Sequence, residues 1–151
     1  MRRLAAFLVL VAALAGCDRG GSRSQGSGGA VSYSENGLSL TVTFDGPLRT
    51  GRPVTWVLDL ENRSSQGLTL KFSSGKEGDV ALGQGGREVY RWSTNKLFSQ
   101  ALREVPLPAG ARKTFKLEER ALGVPAGDYE LVAEVAAAPS PGAVRRTVTV
   151  R

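Results

Sequence analysis

The sequence predicts an all-β protein with the architecture of an immunoglobulin-like antiparallel β-sandwich, and three observations support this prediction. Short segments alternate apolar and polar residues, so each segment has one buried and one solvent-facing side. Turn-forming residues separate these segments at the short spacing typical of sandwiches. The single cysteine among the 151 residues is Cys17, so no intramolecular disulfide can form and the fold depends on its apolar core alone.

The alternating segments can be followed in chain order. The first two, at 38–44 and 54–61, place Leu, Val, Phe and Trp side chains on one face and mainly Ser, Thr, Asp and Glu on the other. Further strands are predicted at residues 68–72, 87–92, 113–117, 129–135 and 144–150. Glycines at 83, 85 and 86 predict a hairpin turn between residues 79–82 and 87–92. Only 93–100 (STNKLFSQ) indicates a helical turn.

One short motif sharpens the fold prediction. Residues 124–129 (VPAGDY) place a proline-glycine turn directly before a strand that carries Tyr129. This arrangement is typical of the tyrosine corner of immunoglobulin-like sandwiches, in which the phenol hydrogen-bonds to upstream backbone. Trp56, in the middle of an alternating strand, is predicted to lie in the core.

The N-terminal segment predicts the location of the protein. Arg2 and Arg3 precede an apolar run, residues 4–14, that is too short to span a membrane, as expected for a secretory signal over residues 1–16. The tetrapeptide that ends in Cys17 (LAGC) resembles the lipobox of bacterial lipoproteins, and this resemblance implies that a lipid is attached to the Cys17 sulfur. We therefore predict an exported protein, lipid-anchored to a bacterial membrane on its periplasmic or outer face. Asp18 resembles a signal for retention at the inner membrane.

The chain divides into three parts on this interpretation. Residues 1–16 form the lipoprotein signal peptide, and residues 17–30 form the lipidated cysteine with a Gly/Ser-rich tether that lacks the apolar residues needed to fold. Residues 31–151 form the sandwich domain. Their size suits a single domain.

Composition excludes several classes of function. The chain has no histidine, which rules out Ser-His-Asp and Cys-His catalysis and ordinary zinc sites. Asp59 and Glu61 share the solvent face of one predicted strand, so they do not form the opposed carboxyl pair of a glycosidase. The formal net charge of +6 is scattered along the chain, which favours a solvated surface over nucleic-acid binding. We expect no enzyme activity, no cofactor and no metal.

The mature domain resembles the BsuPI family, which is named for an intracellular proteinase inhibitor of bacilli that acts on serine proteases. The resemblance rests on a set of short motifs: Glu61 and Asn62 with Ser64, residues 68–75, Asp79, Val80 and Leu82, residues 88–93, Phe98, residues 107–110, Phe115, and residues 125–129. It implies a protein partner, with a serine protease as one possibility. The prediction is a lipid-anchored, protein-binding envelope domain that inhibits a serine proteinase. The alternative is a non-inhibitory, immunoglobulin-like structural or interaction module of the bacterial cell envelope.

The candidate protein-binding residues are Tyr90, Arg91 and Lys96. Aromatic and arginine side chains are over-represented at the energetic centres of interfaces, but the same side chains also serve structural roles, and both interpretations stay open for Tyr90 and Arg91. Trp92 and the nearby Phe98 are predicted to close one end of the sandwich. Residues 73–79 and 93–103 are the two loops that an inhibitor of this shape would present to an enzyme. Oligomeric state is not predicted.

Overall fold

The computed structural model describes residues 30–151, in which alternating apolar and polar residues produce eleven β-strands and no helix. The strands, numbered in chain order, are β1 Val31–Glu35, β2 Leu38–Phe44, β3 Val54–Asn62, β4 Leu68–Phe72, β5 Gly78–Gln84, β6 Arg87–Arg91, β7 Arg103–Leu107, β8 Arg112–Glu119, β9 Gly127–Val135, β10 Ala137–Ala138 and β11 Val144–Val150. No helix in this part of the chain is long and apolar enough to cross a membrane.

The strands form two four-stranded sheets and one small sheet. The first sheet has the order β1-β2-β3-β8, and the second has the order β11-β9-β5-β6. The small sheet, β10-β4-β7, connects to the second sheet because β10 follows β9 almost directly along the chain. Paired strands are antiparallel in all three sheets. The predicted all-β, immunoglobulin-like antiparallel sandwich is therefore confirmed.

The core lies between the two large sheets. Every second residue of β3 is buried, and the same is true of Tyr129, Leu131, Ala133 and Val135 on β9, which contacts β3 across the sandwich. Trp56 is fully buried, and its ring meets Phe44 edge-on at 5.4 Å between centroids. Buried apolar surface contributes about 25 cal/mol per Å², so these alternating strands supply most of the stabilisation.

Two predicted turns form as the sequence indicates. The Tyr129 hydroxyl donates a hydrogen bond to the Pro125 carbonyl at 2.8 Å, which confirms the tyrosine corner. Gly85 and Gly86 have φ angles of 59° and 77°, the positive values that a two-residue type I′ hairpin requires. Glycine adopts this left-handed backbone without steric cost, so β5 and β6 form a tight hairpin.

Asn62 joins the first large sheet to the small one. Its side chain is buried at the end of β3, where Nδ2 donates to the carbonyls of Gln66 at 2.8 Å and Leu107 at 3.0 Å. Its Oδ1 accepts hydrogen bonds from the backbone and hydroxyl of Ser64 at 3.0 and 2.7 Å. A buried amide with both ends satisfied in this way fixes the position of β7 against β3.

The helical turn predicted at residues 93–100 is wrong. Tight turns occur only through residues 92–95, where Thr94 N donates to Arg91 O and Lys96 N donates to Ser93 O. Asn95 has a φ of 63°, and a residue in this left-handed conformation does not continue a right-handed helix. Residues 96–102 follow without regular secondary structure.

Candidate functional site

The two loops predicted to face a partner meet at one end of the sandwich. The amide of Gly75, between β4 and β5, donates a hydrogen bond to the Ser99 carbonyl, between β6 and β7, at 2.8 Å. A Cβ atom at position 75 would lie 2.7 Å from Ser99 Oγ, so glycine permits this close approach. We name residues 73–77 and 92–99 together the loop surface.

A buried carboxylate lies beneath the loop surface. Asp79, on β5, is 1% exposed, and its Oδ1 accepts hydrogen bonds from the backbone amides of Val80 and Ser93, both at 3.1 Å. Its Oδ2 accepts from the Ser93 hydroxyl at 2.5 Å, from Lys76 Nζ at 3.1 Å and from Arg91 Nη1 at 3.2 Å. One side chain therefore connects two segments of the chain, residues 76–80 and 91–93, that are separate in sequence.

These partners determine the charge state of Asp79. Burial by itself would raise the pKa of this carboxyl group, because a low-dielectric surrounding disfavours the charged form. Hydrogen bonds from Ser93 and Lys76, the positive charge of Lys76 and the hydrogen bond from Arg91 outweigh burial and hold the pKa of Asp79 below its ordinary value of 3.8. Asp79 is therefore a stable carboxylate at neutral pH, suited to anchoring a loop rather than to proton transfer.

Trp92 forms the second anchor of the loop surface. Its indole Nε1 donates to the Glu118 carbonyl on β8 at 2.9 Å, and its backbone amide donates to the Val80 carbonyl at 2.8 Å. The Phe98 ring lies 5.8 Å from the Trp92 ring between centroids, and Lys96 Nζ lies 5.0 Å from the same ring. The predicted role of Trp92 and Phe98 in closing one end of the sandwich agrees with these contacts.

The structure brings two of the three predicted binding residues, Tyr90 and Lys96, to the Glu119 carboxylate, and it places Arg91 against Asp79 beneath the loop surface. The Tyr90 hydroxyl donates to Glu119 at 3.1 Å, and Lys96 Nζ lies 3.7 Å from the same carboxylate. Burial raises the pKa of the Tyr90 phenol, and the Glu119 charge raises it further. Arg91 bridges Asp79 and Glu88, and its hydrogen bonds to Glu88 raise the pKa of its guanidinium group. These contacts do not test binding, so the assignment of Tyr90, Arg91 and Lys96 to an interface stays a prediction.

Sequence reasoning missed the most exposed apolar side chains. Leu97 is 101% exposed and Leu102 is 82% exposed, and both lie between β6 and β7, where the sequence analysis predicted only a helical turn over residues 93–100. Sequence reasoning also missed the role of Asp79 as a buried anchor, because the side chains that bind it belong to residues 76, 91 and 93. The available signal was an aspartate inside an otherwise apolar strand, which requires partners when it is buried. Across residues 30–151, acidic side chains form no group of three that could hold a metal ion.

The fold and the loop surface define an immunoglobulin-like domain that presents an anchored loop at one end of its sandwich. The family model described as BsuPI, intracellular proteinase inhibitor, matches residues 43–140, about two thirds of the chain. The chain therefore belongs to the BsuPI family of intracellular proteinase inhibitors. A comparison with curated proteins finds no match. Membership supports the role of a proteinase inhibitor in general terms and agrees with a non-catalytic protein.

The family also corrects the predicted location. Its description is intracellular, which contradicts the exported, membrane-anchored protein that we predicted, including the inner-membrane retention inferred from Asp18. That prediction depended on a short N-terminal pattern, whereas the family match covers most of the folded domain. The predicted signal peptide, residues 1–16, and lipidation at Cys17 lie outside the described residues, as does the tether up to residue 29.

Proposed function

We propose that this chain inhibits a serine proteinase by presenting residues 93–99 to the substrate cleft of the enzyme. The observation that carries the proposal is the anchoring of this segment at both ends. Ser93 is bound by the buried Asp79 carboxylate, and the Ser99 carbonyl is bound by Gly75. A segment that is ordered before binding loses little conformational freedom in the complex, so more of its contact energy is realised as affinity.

Anchoring also supports inhibition over digestion. Exposed loop tips without fixed contacts are preferred sites of proteolytic cleavage. Residues 92–99 are instead tied to β5 through Asp79, to β8 through Trp92 and to the neighbouring loop through Gly75. Such a segment can bind in the substrate cleft without being readily cleaved, which is the behaviour that an inhibitor requires.

We assign Arg91 and Lys96 to the rim of the proposed interface and Tyr90 to its support. The side chains of Arg91 and Lys96 are 37% and 30% exposed, so part of each cation faces solvent, Arg91 beside the loop surface and Lys96 within it. Rim charges steer encounter and affect association rates more than final affinity. The Tyr90 hydroxyl, bound to Glu119, holds the carboxylate that pairs with Lys96.

The proposal can be tested by titrating the purified full-length chain against subtilisin and trypsin with a chromogenic peptide substrate. We expect at least one enzyme to be inhibited at a near-stoichiometric ratio, with the chain still intact by mass spectrometry. A variant with residues 94–98 replaced by Gly and Ser should lose inhibition while still unfolding in one cooperative transition, at a lower midpoint because Phe98 no longer packs against Trp92.

The β5–β6 turn offers a matched control, because it lies at the other end of β6 from the loop surface. Replacing Gln84 and Arg87 by Ser should leave inhibition unchanged. If neither enzyme slows at hundredfold excess of the chain, and the chain is digested, the inhibitor proposal fails. A non-inhibitory interaction module would then be the better interpretation of this domain.

A further inference from the structure

We infer that Leu97 is the side chain that enters the primary specificity pocket of the target proteinase, and that this pocket is large and apolar. The inference rests on the proposed function and names the class of enzyme that it would act on. It depends on the exposure of Leu97, on the contacts of its neighbours and on the chemistry of the adjacent cation.

Leu97 is the most exposed of the large apolar side chains in the described part of the chain. Its exposure is 101%, against 82% for Leu102, 51% for Val89 and 45% for Tyr33. Single exposed apolar residues are common on protein surfaces and need no explanation by themselves. Full burial of a leucine side chain nevertheless contributes about 1.5–3 kcal/mol of free energy. A partner that covers Leu97 would therefore gain binding free energy from a side chain that makes no such contribution within the domain.

The residues on either side of Leu97 contact the rest of the domain, whereas the Leu97 side chain itself is fully exposed. On one side, the Lys96 ammonium group lies over the Trp92 ring and 3.7 Å from Glu119. On the other side, the Phe98 ring packs against Trp92, and the next carbonyl, that of Ser99, accepts the Gly75 hydrogen bond. An exposed side chain on an anchored backbone is the arrangement that lets a loop deliver one residue into a pocket with little loss of entropy.

The contacts of Lys96, the cation next to Leu97, indicate which type of primary specificity pocket this loop fits. A proteinase with an acidic primary pocket selects Lys or Arg, and Lys96 is the only cation in residues 93–99. Its ammonium group is already engaged with Trp92 and Glu119, so presenting it would require breaking both contacts. Leu97 needs no such rearrangement. An enzyme with an acidic pocket would therefore bind less well than one that accepts large aliphatic side chains.

The test compares chymotrypsin, whose primary pocket is apolar, with trypsin, whose primary pocket is acidic. Inhibition constants would be measured for the full-length chain and for Leu97→Ala, Leu97→Arg and Leu102→Ala. The wild-type chain should inhibit chymotrypsin more strongly than trypsin. Leu97→Ala should weaken inhibition of chymotrypsin by about 10- to 200-fold, the range for lost apolar contacts in a specificity pocket. Leu97→Arg should reverse the preference toward trypsin.

Leu102→Ala is the matched control, since it removes a second exposed leucine that lies outside the loop surface. It should change either inhibition constant by less than about twofold, in keeping with the near-neutral contacts around an interface centre. Equal thermal unfolding midpoints for all variants would show that each one folds, as expected for exposed side chains.

The possible results separate this inference from the proposed function. If the wild-type chain inhibits an enzyme and Leu97→Ala inhibits it equally well, the inference is overturned while inhibition stands. Preference of the wild-type chain for trypsin, or a larger loss in Leu102→Ala than in Leu97→Ala, overturns it in the same way. Absence of inhibition by the wild-type chain toward chymotrypsin and trypsin overturns the inference, and absence of inhibition toward subtilisin as well overturns the proposed function.

Discussion

The sandwich core around Trp56 and the cluster around Asp79 are held together by different forces. Trp56 is fully buried among apolar side chains and meets Phe44 edge-on. Asp79 is equally buried, but its partners include cations that reach solvent, with Lys76 30% and Arg91 37% exposed. The core should therefore respond to lost volume, whereas the Asp79 cluster should respond to lost charge and to pH. A change in charge or pH can therefore alter the anchoring of the loop surface while the apolar core stays folded.

The largest effect is expected in the core. Trp56→Ala should lower the free energy of unfolding by about 3–5 kcal/mol, because it removes a fully buried aromatic side chain and leaves a cavity. Urea denaturation followed by circular dichroism would measure the change. A reducing agent should have no effect on the wild-type chain, which contains only one cysteine. A loss below 1 kcal/mol would contradict the central position of Trp56 in the core.

The Asp79 cluster should give the next largest effect. Asp79→Asn keeps the shape of the side chain but removes the charge that Lys76 and Arg91 face, and hydrogen bonds to charged groups contribute about 1.5–3 kcal/mol. We expect a loss of about 2 kcal/mol in the same denaturation experiment, with weaker inhibition because the Ser93 hydroxyl loses its carboxylate acceptor. Glu88→Gln, which affects only the exposed side of Arg91, is the control and should cost less than about 1 kcal/mol.

The pH dependence sharpens this second prediction. The pKa of Asp79 is lowered in the folded state, so its contribution to stability is fully present above the ordinary value of 3.8 and is lost as pH falls toward the lower folded-state pKa. Stability of Asp79→Asn should therefore decline less below pH 3.8 than that of the wild-type chain. Trp56→Ala should keep the wild-type pH dependence, and parallel profiles for wild type and Asp79→Asn would argue against the assigned charge state.

A smaller effect is expected at the tyrosine corner. Tyr129→Phe removes the hydroxyl that donates to the Pro125 carbonyl but keeps the buried ring. The loss should be about 1 kcal/mol, the usual net contribution of one hydrogen bond. Thermal unfolding of both proteins would measure it. A loss as large as that of Trp56→Ala would show that the corner, rather than the core, controls stability.

The smallest effect is expected at the rim of the loop surface. Lys96→Met removes a partly exposed ion pair with Glu119, and such pairs contribute only about 0.2–1 kcal/mol. Its association rate with an inhibited enzyme should become less sensitive to salt, since rim charges act mainly on encounter. Stopped-flow measurements at low and high ionic strength would detect this. An unchanged salt dependence would remove Lys96 from the proposed rim.

The sandwich could be predicted because its core follows a local pattern. Alternation along β3 placed Trp56 inside, and the turn before Tyr129 specified a corner that the structure confirms. The surroundings of Asp79 could not be predicted, because Lys76 lies on one segment and Arg91 and Ser93 lie on another, and no local sequence pattern indicates that these segments meet. The exposure of Leu97 was not predicted either. The left-handed Asn95 ends the turn, so Leu97, inside the predicted helical turn, projects into solvent.

The pairing of β3 with β8 has a consequence for folding kinetics. Asp59 lies opposite Thr114, 55 residues further along the chain, and the whole loop surface lies within that interval. Contacts between such distant residues close late and slowly, and sandwiches of this kind fold in milliseconds to seconds. The free-energy cost of bringing the two ends of this interval together grows only with the logarithm of its length, by roughly 0.6 kcal/mol per doubling. Insertions between β6 and β7 should therefore slow folding little, so the folding rate does not fix the length of this connection.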